Sequence, residues 1–256
     1  MYILASDYDG TLNCGGVSQG NRDAIRKFRE AGNLFGVVTG RDYYFYDIMV
    51  RDALELDFIL AMNGAMVVNT VGERSGEVEH AELCDNQGVI RGISELVGTR
   101  YGFDVSCVTV RDRITFHGGI PEGNERFAPL AKADEVAQFT QLNTRCKTEE
   151  DARRCVAEIN EAFGTVVNAL QNGVCIDIPP RGIDKGEGVA RFAVSRGVPE
   201  ENIYCAGDNM NDMAMVARFH GCAVKNAVPE LKAAAEGVYD NIAAVIEHIL
   251  ARQAGV

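Results

Sequence analysis

The sequence predicts an α/β fold: a doubly wound parallel sheet built from both ends of the chain, with a smaller α+β domain inserted between them. Three observations lead there. Short apolar runs alternate with helix-like segments from residue 2 to about 61, the same rhythm returns from Lys185 onward, and the stretch between them carries antiparallel hairpin signals instead.

Tyr2–Ser6 is an apolar run of the length a buried strand needs. Ser18 to Ala31 has helical spacing and stops at Gly32, Leu34–Thr39 is a second strand, residues 42–55 form a second helix, and Phe58–Ala61 a third strand. Strand, helix, strand, helix, strand implies parallel pairing through right-handed crossovers, with ligands gathering at the carboxyl ends of the strands. Asp7 and Thr39 stand at such ends.

In the insertion a helix is expected over 86–98. Alternating runs Phe103–Thr109 and Arg113–His117 follow around Val110-Arg111-Asp112, then a strand over Val136–Leu142. Thr148-Glu149-Glu150-Asp151 has the order of a capping box and opens a helix with Ala152, Cys155, Val156 and Ile159 on one stripe. Val166–Leu170 and Val174–Ile178 form a hairpin around Gln171-Asn172-Gly173. The sheet pattern then resumes with a helix Lys185–Ser195, a strand Ile203–Ala206, a helix Asn211–Ala217, a strand Cys222–Val224, and helices over 229–236 and 242–251. The expected division is 1–82 with 181–256 for the Rossmann-like core and 83–180 for the insertion.

The chain has 256 residues, 46% hydrophobic and 24% charged, a globular composition large enough for one or two domains. Its formal charge of -12 argues against a nucleic-acid or anionic-membrane partner, both of which need basic patches. An anionic ligand would therefore need a local cation. Eight cysteines include no CxxC and no zinc spacing, and the apolar start is too short for a signal peptide, so reduced packing thiols in a cytoplasmic protein are expected. His80, His117, His220 and His248 have no metal-pair spacing, and no GxxxxGK[ST] is present.

The chemistry concentrates in Asp7-Tyr8-Asp9-Gly10-Thr11. Asp7 and Asp9 sit two positions apart where a buried strand meets a glycine turn, so their charges repel unless a divalent cation is shared or one carboxyl holds a proton. With it, three further segments are expected at the carboxyl ends of core strands: Thr39-Gly40-Arg41, Lys185, and Gly207-Asp208-Asn209-Met210-Asn211-Asp212. Phosphoryl transfer needs a nucleophile, a proton handler, positive charge and a metal, and the four segments supply candidates for each.

This set resembles the haloacid dehalogenase superfamily of aspartate-nucleophile phosphohydrolases, and the insertion resembles its type IIB cap, as in the Cof-like branch. Gly182-Ile183-Asp184-Lys185-Gly186 and Asn63-Gly64-Ala65 match further segments of that branch, while Lys225-Asn226-Ala227 departs from its more usual Gly-Asn-Ala. The resemblance implies a Mg2+-dependent phosphatase of small phosphorylated metabolites working through an aspartyl phosphate. Asp7 would be the nucleophile and Asp9 the general acid and base. Gly10, Thr39, Gly40, Lys185 and Asn211 would bind phosphate. Asp7, Asp208 and the backbone carbonyl of Asp9 would hold Mg2+, with Asp212 orienting a metal water or Lys185. Arg41 could orient a neighbouring carboxylate, reach the substrate or lie on the surface. The alternatives are a phosphotransferase or phosphosugar mutase with the same nucleophile, or a phospho-ligand binding protein with little turnover. Arg111, Arg113, His117, Arg145 and Arg181 could meet an anionic substrate or be solvated surface. No short motif names the substrate.

Overall fold

The computed structural model describes residues 1–110, 112–117 and 127–255. The chain folds as two compact units, Met1–His80 with Asp184–Val256, and Ala81–Ile183. Arg111 lies outside the described residues.

The first unit begins with β1 (Ile3–Ser6), α1 (Gln19–Glu30), β2 (Leu34–Val38), α2 (Phe45–Arg51), β3 (Phe58–Ala61), β4 (Met66–Val68) and β5 (Val78–Ala81). Ser18 caps α1 by accepting the Asn21 N–H, and Ala24, Ile25 and Phe28 supply its buried stripe. The second helix is shorter than the expected 42–55. Asp42 accepts the Tyr44 N–H before it, and the Arg22 guanidinium donates to the carbonyls of Asp52 and Ala53 after it.

The second unit holds β6 (Cys84–Asp85), α3 (Val89–Tyr101), β7 (Val105–Val108), β8 (Arg113–His117), β9 (Phe127–Pro129), β10 (Gln138–Phe139), β11 (Gln141–Arg145), α4 (Glu149–Phe163), β12 (Leu170–Asn172) and β13 (Cys175–Ile178). The single strand expected over 136–142 is two. Thr140 gives both its N–H and its hydroxyl to the Val108 carbonyl, and the chain changes partner there: β10 pairs with β6, β11 with β7 and β13. Thr148 accepts the Asp151 N–H and opens α4, and Ala152, Cys155 and Ile159 are buried.

The chain returns to the first unit with α5 (Lys185–Ser195), β14 (Ile203–Gly207), α6 (Met213–Arg218), β15 (His220–Val224), α7 (Pro229–Ala234), β16 (Gly237–Tyr239) and α8 (Ile242–Gln253). Its sheet runs β16-β15-β14-β1-β2-β3-β4-β5. Pairing is parallel from β16 to β3 and turns antiparallel at β4. Strand order reverses direction between β1 and β14, whose register sets Ser6 opposite Ala206 and so brings their carboxyl ends level. That is the switch point where doubly wound sheets bind ligands. All eight cysteines are free thiols, six of them buried. Among the described residues no helix is long and apolar enough to cross a membrane.

Candidate active site

Asp7 leaves the end of β1 with its N–H on the Ala206 carbonyl of β14, 2.8 Å away, which fixes the first loop against the second. The chain then turns at Gly10, whose φ of +85 is open to glycine at little cost. A Cβ there would lie 2.4 Å from Asp208 Oδ2, so glycine also lets the loop approach that carboxylate. Thr11 donates its hydroxyl to Asp208 Oδ1 at 2.9 Å, and Asn226 donates its amide N–H to the Gly10 carbonyl at 2.8 Å.

Lys185 is the first residue of α5 and is fully buried. Its Nζ donates to Asp7 Oδ1 and to Asp212 Oδ1, both at 2.6 Å. Helix α5 can be this close because glycine faces glycine: a Cβ on Gly64 would sit 2.7 Å from the Gly188 Cα, and one on Gly186 would sit 2.8 Å from the Ala214 carbonyl oxygen. Asp212 spends its other oxygen on the backbone N–H groups of Asp208 and Asn209, at 2.9 and 3.1 Å. With both oxygens engaged, it is placed to orient Lys185 and the Asp208 loop.

Asp7, Asp208 and Asp212 each place a carboxylate oxygen within 4.8 Å of the others. Burial is the main reason the Asp7 carboxyl is pushed up to about 8; Lys185 opposes the rise, while Asp212 and Asp208 add to it. Asp208 is raised as well, again by burial first and then by Asp212. Burial works to discharge Lys185, but Asp212 and Asp7 prevail and hold it firmly protonated. Three carboxyl groups around one ammonium make a cluster richer in acidic than in basic groups. Such a set of carboxylate oxygens fits a hard dication such as Mg2+.

Asp9 does not join this cluster through its side chain. Its carboxylate is half-exposed and is gripped by the Arg41 fork, Nε to Oδ2 at 2.7 Å and Nη2 to Oδ1 at 2.8 Å. Of the three roles open to Arg41, the structure has it orienting a carboxylate, with its guanidinium 5.8 Å from the Tyr8 ring centre. Thr39 is buried; its N–H reaches the Leu60 carbonyl and its hydroxyl accepts the Arg41 N–H at 3.2 Å. Gly40 links these two residues. Asn211 is buried in the short turn Met210–Asp212 that carries Asp212. In the second unit Arg145 lies over the Phe103 ring, and Arg181 is exposed.

Sequence reasoning gave no role to two residues of this site, Thr11 and Asn226. Thr11 lay inside a motif read mainly for its carboxylates. Asn226 lay in the segment noted for its unusual Lys225, and the neighbouring asparagine is what ties that loop to Gly10.

The model of the haloacid dehalogenase-like hydrolases matches residues 4–245 of this sequence. The chain belongs to that family. It is 32% identical over 242 residues to a phosphoglycolate phosphatase of Pyrobaculum aerophilum, covering 93% of this chain and 89% of the relative. It is 25% identical over 258 residues to the pyridoxal phosphate phosphatase YbhA of Escherichia coli, covering 91% of each. Among solved structures, the sugar phosphatase BT4131 of haloacid dehalogenase subclass IIB has the same fold, with a TM-score of 0.78 and 19% identity over 97% of this chain and 98% of that one. Membership in this hydrolase family, with relatives that include phosphatases, makes the chain an enzyme.

Proposed function

We infer that this hydrolase is a Mg2+-dependent phosphatase of small phosphorylated metabolites in which Asp7 is the nucleophile. The observation that carries this reading is the buried Lys185 ammonium bridging Asp7 and Asp212 beside Asp208. A bound Mg2+ would sit on Asp7, Asp208 and the Asp9 carbonyl and supply the positive charge that the transferring phosphoryl group needs.

An Asp7 oxygen attacks phosphorus while the bond from phosphorus to the substrate alcohol breaks. The departing oxygen takes a proton from Asp9, for which the Arg41 fork has to open. Lys185 keeps the other Asp7 oxygen in place, and Thr39, the backbone amides after Asp7 and Asn211 receive the phosphoryl oxygens. Water then attacks the aspartyl phosphate, its proton passes to Asp9, and the bond between phosphorus and Asp7 breaks to release inorganic phosphate and restore the carboxylate. The Ala81–Ile183 unit is assigned the role of a type IIB cap that supplies specificity contacts. Phosphate release from p-nitrophenyl phosphate tests the reading: it is expected with Mg2+ and absent after EDTA, and activity of Asp7→Asn equal to the wild type would overturn the assignment.

A further inference from the structure

The Asp9 carbonyl, named above as a metal ligand, shares a planar peptide unit with the Gly10 N–H, and in a trans unit the two point in opposite directions. The Gly10 N–H donates to the Asn13 carbonyl at 3.0 Å, and the Asn13 N–H returns to the Tyr8 carbonyl at 2.8 Å. The loop is thereby closed on itself, and the Asp9 carbonyl faces away from Asn13. Gly10 remains the weak joint, because a residue without a Cβ has more backbone conformations open to it than any other. Its own carbonyl is held from outside the loop: it accepts the Asn226 side-chain amide at 2.8 Å, and the Cys14 thiol adds a second donor at 3.1 Å.

Asn226 is in turn fixed to the other acidic loop. The Ala227 N–H closes a turn on the Val224 carbonyl, and the Val228 N–H donates to the Asp208 carbonyl, each at 2.9 Å. The segment from Asn226 to Val228 therefore grips one carbonyl of each loop, Gly10 through a side chain and Asp208 through the backbone. Thr11 completes the ring with its hydroxyl on Asp208 Oδ1. Asn226 is exposed, so core packing does not depend on its side chain. We propose that Asn226 is a positioning residue for the metal: by locking Gly10 to the segment that carries Val228, it sets the gap between the Asp9 carbonyl and the Asp208 carboxylate that Mg2+ has to bridge. Mg2+ demands near-ideal octahedral geometry, so a ligand held out of register lowers its affinity, and groups that orient ligands without touching the ion act in this way. The proposal rests on the reading above in taking Mg2+ as the ion of this site.

The test is calorimetric titration of the metal-free wild type, Asn226→Ala and Cys14→Ala with Mg2+, with Tm measured before and after metal is added. Asn226→Ala is expected to keep the metal-free Tm of the wild type and to bind Mg2+ about five-fold more weakly, the effect of one hydrogen bond. Cys14→Ala is expected to lose about two-fold or less, because a thiol is a weak donor. An Asn226 that served the fold alone would lower the metal-free Tm and leave the Kd for Mg2+ where it was. That pattern, a Kd equal to the wild type in Asn226→Ala, or a larger loss in Cys14→Ala overturns the positioning role while binding by the wild type keeps the metal reading intact. A wild type that takes up no Mg2+ overturns both. The expected Kd shift in a protein that releases no phosphate from p-nitrophenyl phosphate refutes the phosphatase reading and leaves the positioning role standing.

Discussion

Lys185 Nζ stands 2.6 Å from Asp7 Oδ1 although 178 positions separate the two residues. Both are buried, and the pair joins the start of α5 to the end of β1. It is at once part of the proposed chemistry and a constraint on the fold.

Removing the ammonium leaves Asp7 and Asp212 buried without their shared cation. Breaking a buried pair of this kind costs about 3–5 kcal/mol. Lys185→Met is therefore expected to lose turnover and to lower the urea midpoint with little change in slope. A variant as stable as the wild type would mean that the pair contributes nothing to the fold.

The Arg41–Asp9 pair makes the opposite case. Both side chains are about half-exposed, so Arg41→Ala should cost about 1 kcal/mol or less. Its effect should appear in turnover, because Arg41 holds the Asp9 side chain in place between the openings of the fork that let it transfer a proton: kcat is expected to fall more than KM changes. A rise in KM at constant kcat would assign Arg41 to substrate binding instead.

Without metal, stability should depend on pH through Asp7. Its folded carboxyl is raised to about 8 from 3.8, so the folded state holds a proton that the unfolded chain has released. The stabilisation is complete below the unfolded pKa and is lost as pH rises through about 8. Mg2+ binds the ionised form, so the gain in Tm at a fixed Mg2+ concentration should grow between pH 6 and pH 9; a concentration a hundredfold over Kd adds about 2.7 kcal/mol to the stability. Asp208→Asn should abolish it. A Tm indifferent to Mg2+ at every pH would count against a metal on these carboxylates.

Gly64→Ala tests how Lys185 is positioned. The added Cβ meets the Gly188 Cα at 2.7 Å and sits at a φ of +93, so α5 has to move or the loop has to change conformation. A destabilisation of about 1–3 kcal/mol with loss of turnover is expected by denaturation and kinetics. Wild-type behaviour would show that the glycine contact does not set the lysine.

The parallel part of the sheet was legible because β1, β2, β3 and β14 are short apolar runs buried on both faces, bounded by turn residues. The carboxylates were legible because Asp7, Asp9, Asp208 and Asp212 fall just beyond such runs. The strand β4 was missed: Met62-Asn63-Gly64 reverses the chain through φ values of +54, +53 and +93, and the Asn-Gly turn signal was read only as part of a motif. The division at Thr140 depends on a hydrogen bond to a carbonyl 32 residues away, which periodicity does not encode. The grip of Arg41 on Asp9 likewise needs β1 and β2 side by side before it can be seen. Asn226 escaped for the same reason, since its partner Gly10 lies 216 positions away.

The most direct test of Asp7 as nucleophile is rapid acid quench during turnover of a 32P-labelled phosphomonoester, followed by peptide mass spectrometry. A labile phosphoryl group on Asp7, absent from Asp7→Asn, is expected. Phosphate released in the first turnover with no label on the protein, or label on a residue other than Asp7, would contradict it.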